Sequence, residues 1–118
     1  MKRISWLFAA ALLGGGLACS EGAGGGEQVA VSPEVTKGKQ IYQTVCIACH
    51  ASNPNQAGAL GPPVADASQG LLEAKVIHGE YPPGYTPKRD SHAMVPLPHL
   101  QPDIPALAAY LASVAKGS

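Results

Sequence analysis

The chain has 118 residues, a formal net charge of zero and only 14% charged residues. Setting aside residues 1–18 leaves six basic residues against eight acidic ones, a balance with no basic footprint for nucleic acid. The length that remains holds one small domain, which excludes a nucleotide-binding domain joined to a substrate domain.

The N-terminus comes first. Lys2 and Arg3 precede an apolar run from Ile4 to Leu13, which exits through Gly14-Gly15-Gly16-Leu17-Ala18. A charged start, an apolar middle and small residues at the exit predict a secretory signal peptide over residues 1–18. The apolar run is shorter than the roughly 20 residues of a membrane span. Gly16-Leu17-Ala18-Cys19 resembles a bacterial lipobox, with Gly16 where Leu is usual. Two readings of Cys19 follow. Lipidated, it anchors the chain to a membrane, each buried CH2 contributing about 0.8 kcal/mol. Cleaved in the ordinary way near Ala18, the protein is soluble in the periplasm with a free thiol. Ser20 is not the Asp associated with inner-membrane retention, so outer-membrane sorting is open. Gly22 to Gly26 holds four glycines in five residues, and residues 19–32 read as a flexible tether. The expected location is the periplasm or the outer face of a bacterial cell envelope.

Residues 33–118 form the domain. Trp6 and Phe8 both fall in the leader, so the domain's aromatic residues are Tyr42, Tyr81, Tyr85 and Tyr110. A domain of this size with so few large side chains needs help from a disulfide, a metal or a cofactor. Ser32 suits an N-cap and Pro33 the first helical position. Val35, Gly38, Tyr42 and Val45 then step by three, four and three, predicting an amphipathic helix.

That helix runs into Cys46-Ile47-Ala48-Cys49-His50, the C-x-x-C-H pattern of covalent c-type haem attachment. Positions three apart share a helix face. Two thiols there can add to the two vinyl groups on one edge of a protoporphyrin, and His50 can offer an imidazole nitrogen to the iron. Three other readings are weaker. A disulfide between Cys46 and Cys49 has no use for His50. A thioredoxin-like pair needs a βαβ setting. A zinc site would draw on His92 and His99, which are spaced more widely than usual zinc ligands.

Residues 51–67 read as loop. Ser68 to His78 predicts a short helix with Leu71, Leu72, Val76 and Ile77 as its apolar positions, stopped by Gly79; His78 suits the helix C-terminus. Residues 79–105 form a long loop whose prolines, Pro82 to Pro105, exclude a regular helix. It carries His92, Met94 and His99, and loops of this length are functional or disordered. The last helix starts near Pro102–Pro105 and runs to about Ala115, with Ile104, Leu107, Leu111 and Val114 as its stripe. A second C-x-x-C-H is absent, so one haem is expected.

These motifs together resemble a class I c-type cytochrome over nearly all of residues 33–118. The resemblance implies an all-α cytochrome c fold. Three to four helices surround one covalently bound haem c, with the proline-rich loop on its distal side. It implies that Cys46 and Cys49 hold the haem, that His50 ligates iron, and that Met94 is the sixth ligand. Met94 lies two residues before Pro96, where Met-Pro is usual in the family. A histidine, His92 or His99, or an open site are the alternatives, and a gap-filling side chain is the bland reading of Met94. By the same resemblance Gly38 lets the first helix cross closely over the last beside Tyr110, and the Pro62 carbonyl accepts a hydrogen bond from His50. A weak helix position at Gly38 and an ordinary turn at Gly61-Pro62 are the plain alternatives. Lys88 and Arg89 either meet a haem propionate or a redox partner, or belong to a solvated loop.

The implied function is single-electron transfer between redox protein partners, with no catalysis by the chain itself. Two alternatives stand beside it: the electron-accepting subunit of an exported dehydrogenase or oxidase with a larger catalytic chain, and a haem-based gas-binding sensor.

Overall fold

A computed structural model describes residues 31–115. The expected signal peptide, Cys19 and most of the tether lie outside them. The described residues form an all-α fold without strands. Helix α1 spans Pro33–Val45, α2 spans Gln69–Leu72 and α3 spans Ile104–Ala115. A 3-10 turn, Cys46–Ala48, prolongs α1, and another, Pro98–Asp103, leads into α3.

Helix α1 begins as its sequence requires. The Ser32 hydroxyl accepts from the Val35 amide at 3.2 Å, and Pro33 occupies the first turn, where its missing N–H costs nothing. Gly38 and Tyr42 are its buried residues. Helix α3 buries Ile104, Ala106, Leu107, Tyr110 and Leu111. Pro105 falls in its first turn and is tolerated there for the same reason.

The two helices cross at Gly38. A Cβ on Gly38 would overlap the Ala106 carbonyl and press on Tyr110 Cβ, so hydrogen is the only side chain the crossing admits. Tyr42 packs on Tyr110 with ring centroids 5.6 Å apart and planes tilted by 52°. Tyr42 is 1% exposed, and its hydroxyl donates to the Ala51 carbonyl at 2.6 Å. Burial, then the neighbouring Cys46 and Tyr110, push the Tyr42 phenol up to about 12. Lys37 of α1 pairs with Asp103, the last residue of the 3-10 segment before α3, at 2.5 Å; a surface pair of this kind adds at most about 1 kcal/mol.

The middle segment differs from its sequence reading. Ser68 caps α2, accepting from Leu71 N–H at 3.1 Å. The helix then widens into a π turn over Glu73–Ile77 instead of running on as one α-helix to His78. Leu72, Val76 and Ile77 are all buried, and the wider turn brings Leu72 and Ile77, five apart, onto one face. Gly79 ends the segment with φ +73, a left-handed conformation that favours glycine. The proline-rich stretch also holds more structure than expected. Pro98–Asp103 forms a 3-10 segment with Pro98 at its start and Pro102 inside it, and it buries Leu100.

The crossing makes a direct test. Ala exceeds Gly in helix propensity by about 1 kcal/mol, so Gly38→Ala would stabilise an unpacked helix. Here it should destabilise by about 1–3 kcal/mol through overpacking, measured by equilibrium denaturant unfolding.

Candidate cofactor site

The C-terminus of α1 sets the site. Cys46 N–H still bonds the Tyr42 carbonyl. The chain then tightens, and Cys49 N–H at 3.2 Å and His50 N–H at 2.9 Å both donate to the Cys46 carbonyl. This turn puts Cys46, Cys49 and His50 on the wall of one cavity of about 330 Å³. Both cysteines are free thiols. Burial pushes the Cys46 thiol up to about 11, so it stays neutral at physiological pH.

A loop folds back over this turn like a collar. Leu60 and Gly61 amides donate to the Cys49 carbonyl at 3.2 and 2.9 Å, and Gly58 N–H donates to the Gly61 carbonyl at 2.9 Å. A Cβ on Gly61 would run into the His50 ring, and one on Gly58 into the backbone of residues 49–51. Main chain therefore lies directly against the imidazole. His50 Nδ1 sits 2.9 Å from the Pro62 carbonyl. A carbonyl only accepts, so Nδ1 carries the proton and Nε2 keeps its lone pair. The sequence reading singles out Pro62 within Gly61-Pro62, gives Gly61 no role of its own and does not select Gly58. The Gly61-Pro62 dipeptide is a signal for one of them, and nothing local marks Gly58.

The rest of the wall is mostly apolar. Val45, Leu71, Leu72, Val76, Leu97, Leu100, Leu107 and Leu111 contribute to it, drawn from every helix. Met94, partly buried, lines the same cavity. His92 and His99 are exposed and do not line it. Among the described residues no three His, Cys, Asp or Glu side chains come together as a metal cluster, which leaves the zinc reading without a ligand set. The described residues also lack the strands that a thioredoxin-like pair requires.

Asp66, Lys75, Lys88 and Arg89 bring charge to the cavity lining. Lys88 Nζ donates to Asp66 Oδ1 at 2.5 Å and to the Pro63 carbonyl at 2.9 Å, and Arg89 Nη2 donates to the Gly58 carbonyl at 3.3 Å. These two side chains tie the long loop to the collar. Tyr81 and Tyr85, which sequence reasoning does not select, stack at 5.4 Å on the cavity wall, with Lys75 Nζ 4.3 Å from the Tyr81 ring centroid. Leu60 and Val95 line the cavity while remaining 55% and 71% exposed, so it reaches the surface beside them.

The family described as Cytochrome c matches residues 35–115, and the chain belongs to that family. No curated protein and no solved structure matches it. The family binds haem c, covalently attached, and transfers electrons through it. The residues of the cavity fit such a group. Two thiols and an imidazole with a free lone pair share one part of the wall, a thioether comes from the loop, and an apolar surface joins them.

The hydrogen bond from Lys88 is the main cause holding the Asp66 carboxyl below its usual range; partial burial opposes it. The folded pKa is depressed, so the contribution of the pair is present above about pH 4, the ordinary Asp value. It is lost as pH falls through the folded value. Asp66→Asn should lower the melting temperature slightly at pH 7, and the gap to wild type should close in acid. Thermal melts from pH 7 down to pH 2 check it.

Proposed function

We propose that this chain is a monohaem electron carrier of the cell envelope. Cys46 and Cys49 would hold haem through thioethers, and His50 and Met94 would be the residues on its iron. The observation that carries the reading is the shared wall: Met94 lines the same cavity as Cys46, Cys49 and His50, while His92 and His99 stand outside it. Haem c supplies an iron that alternates between ferric and ferrous states.

The chain's own residues do the rest. Pro62, through Nδ1, fixes the ring of His50 and raises its basicity. Gly61 keeps the ring from turning because its backbone lies against it. The leucine-rich wall excludes water, and the Met94 thioether would favour the ferrous state and raise the reduction potential. With His50 and Met94 both holding the group, the site would offer no position to a substrate and would pass single electrons to redox partners without bond chemistry.

Cys19 anchors the protein through a lipid in this reading, supported by Gly16-Leu17-Ala18-Cys19 and the glycine-rich stretch that follows. Among the described residues no helix is long and apolar enough to cross a membrane. A second reading, the electron-accepting subunit of a larger redox enzyme, draws on the exposed apolar side chains of Leu60 and Val95 at the cavity's edge. Such side chains suit a lasting protein contact.

Optical spectra of the purified protein, oxidised and reduced, test the ligation. Wild type should show a c-type spectrum, the weak far-red band of methionine sulfur on ferric haem, and no shift with carbon monoxide. Met94→Ala should abolish that band, admit carbon monoxide and lower the potential. An unaltered band in Met94→Ala would refute the assignment. For the anchor, Cys19→Ser should move the protein from the membrane fraction to the soluble one, read by fractionation and immunoblot.

A further inference from the structure

We propose that Gly79 and the π turn before it form a latch that holds the Met94 loop at the cavity wall, making Gly79 and Pro96 positioning residues for the sixth ligand. This rests on Met94 being that ligand.

A helix closed by a left-handed glycine ends in one of two ways: the glycine N–H bonds the carbonyl four residues back, or it bonds the carbonyl three back while the next amide reaches five back. The second way would occupy the Val76 carbonyl. Here Gly79 N–H donates to the Lys75 carbonyl at 3.1 Å, as in the first, and Glu80 N–H reaches the Ala74 carbonyl at 3.0 Å, six residues back. The wide π register takes up the extra residue. Neither cap bond uses the Val76 carbonyl.

The loop uses that carbonyl. Leu97 N–H donates to it at 2.6 Å. Beside this bond the Pro96 ring lies directly over Gly79, where a Cβ would sit 2.8 Å from Pro96 Cγ. Both contacts fall within three residues of Met94. On the other side, Lys88 and Arg89 tie the loop to the collar of residues 58–66. Between these anchors, among the described residues, no hydrogen bond joins residues 90–95 to the rest of the fold; Ala93 N–H to Ser91 Oγ at 3.3 Å is internal to the segment. Met94 is thus held from its two ends, and the nearer end is the latch. Gly79 answers two demands at once: its φ of +73 and the absence of a side chain under Pro96.

Gly84 provides a matched control. It lies in the same loop with φ +80, and a Cβ there would meet nothing within 4 Å. Gly79→Ala and Gly84→Ala carry the same left-handed backbone penalty, but only the first pushes on Pro96. The test uses the full-length haem-loaded protein and reads the far-red methionine band, the reduction potential and the rate of carbon monoxide binding to the ferrous form. Gly79→Ala should weaken the band, lower the potential and speed carbon monoxide binding by roughly tenfold, the scale of an overpacked contact, here against Pro96. Gly84→Ala should leave all three at wild-type values. Pro96→Ala, which removes the ring without backbone strain, should shift them in the same direction as Gly79→Ala and serves if that variant does not mature. The latch is overturned if Gly79→Ala and Gly84→Ala give equal signals, or if Pro96→Ala matches wild type. A wild-type protein without the methionine band would instead refute the ligand assignment on which the latch rests.

Discussion

The close approach of the first and last helices at Gly38 is the constraint on which the rest of the structure depends. With no room between the α1 backbone and the Ala106 carbonyl, the helices come near enough for Tyr42 to reach Tyr110 in one direction and the Ala51 carbonyl in the other. That fixes where α1 ends, and the end of α1 fixes both thiols and the imidazole. The same crossing presents Leu107 and Leu111 to the cavity from the far side. The domain's two ends therefore hold each other, and the site is assembled in the span between them. Such a chain closes late, since its first helix has no partner until the last one has been made.

The cavity is built by division of labour. The helices supply its greasy wall, and irregular segments supply the chemistry. Cys49 and His50 lie just past a helix end, Gly61 and Pro62 in the collar, Met94 in the long loop. Rigid elements give shape, while the loops bring particular atoms to particular places. Few polar side chains are needed for this because backbone carbonyls do most of the holding: Pro62 for His50, Gly58 and Pro63 for the loop, Val76 for Leu97.

Periodicity makes the helices legible in the sequence, because a stripe at steps of three and four records which side is buried. Val35 to Val45 and Ile104 to Val114 read this way, and so does the Ser32-Pro33 start of α1. The C-x-x-C-H pattern is legible because its chemistry is local. The π turn is not, since nothing local marks its register and its Val76 carbonyl is met by Leu97 from a distant part of the chain. Neither are the ties of Lys88 and Arg89 to the collar, which exist only once the loop has closed. Gly58 and Gly61 are spaced like ordinary turn glycines, and what makes them necessary comes from earlier in the chain: the His50 ring against Gly61 and the backbone of residues 49–51 against Gly58.

The tyrosines carry one more consequence. All four aromatic rings of the described residues fall into two couples. Tyr42 and Tyr110 sit inside the helix crossing, while Tyr81 and Tyr85 stand on the cavity wall. Without tryptophan or phenylalanine among these residues, protein absorption in the near ultraviolet comes from these two places alone. One couple reports on the scaffold and the other on the border of the ligand loop. Tyrosine is thus the one polypeptide chromophore of the described residues in that range, buried at the crossing and half-buried on the cavity wall.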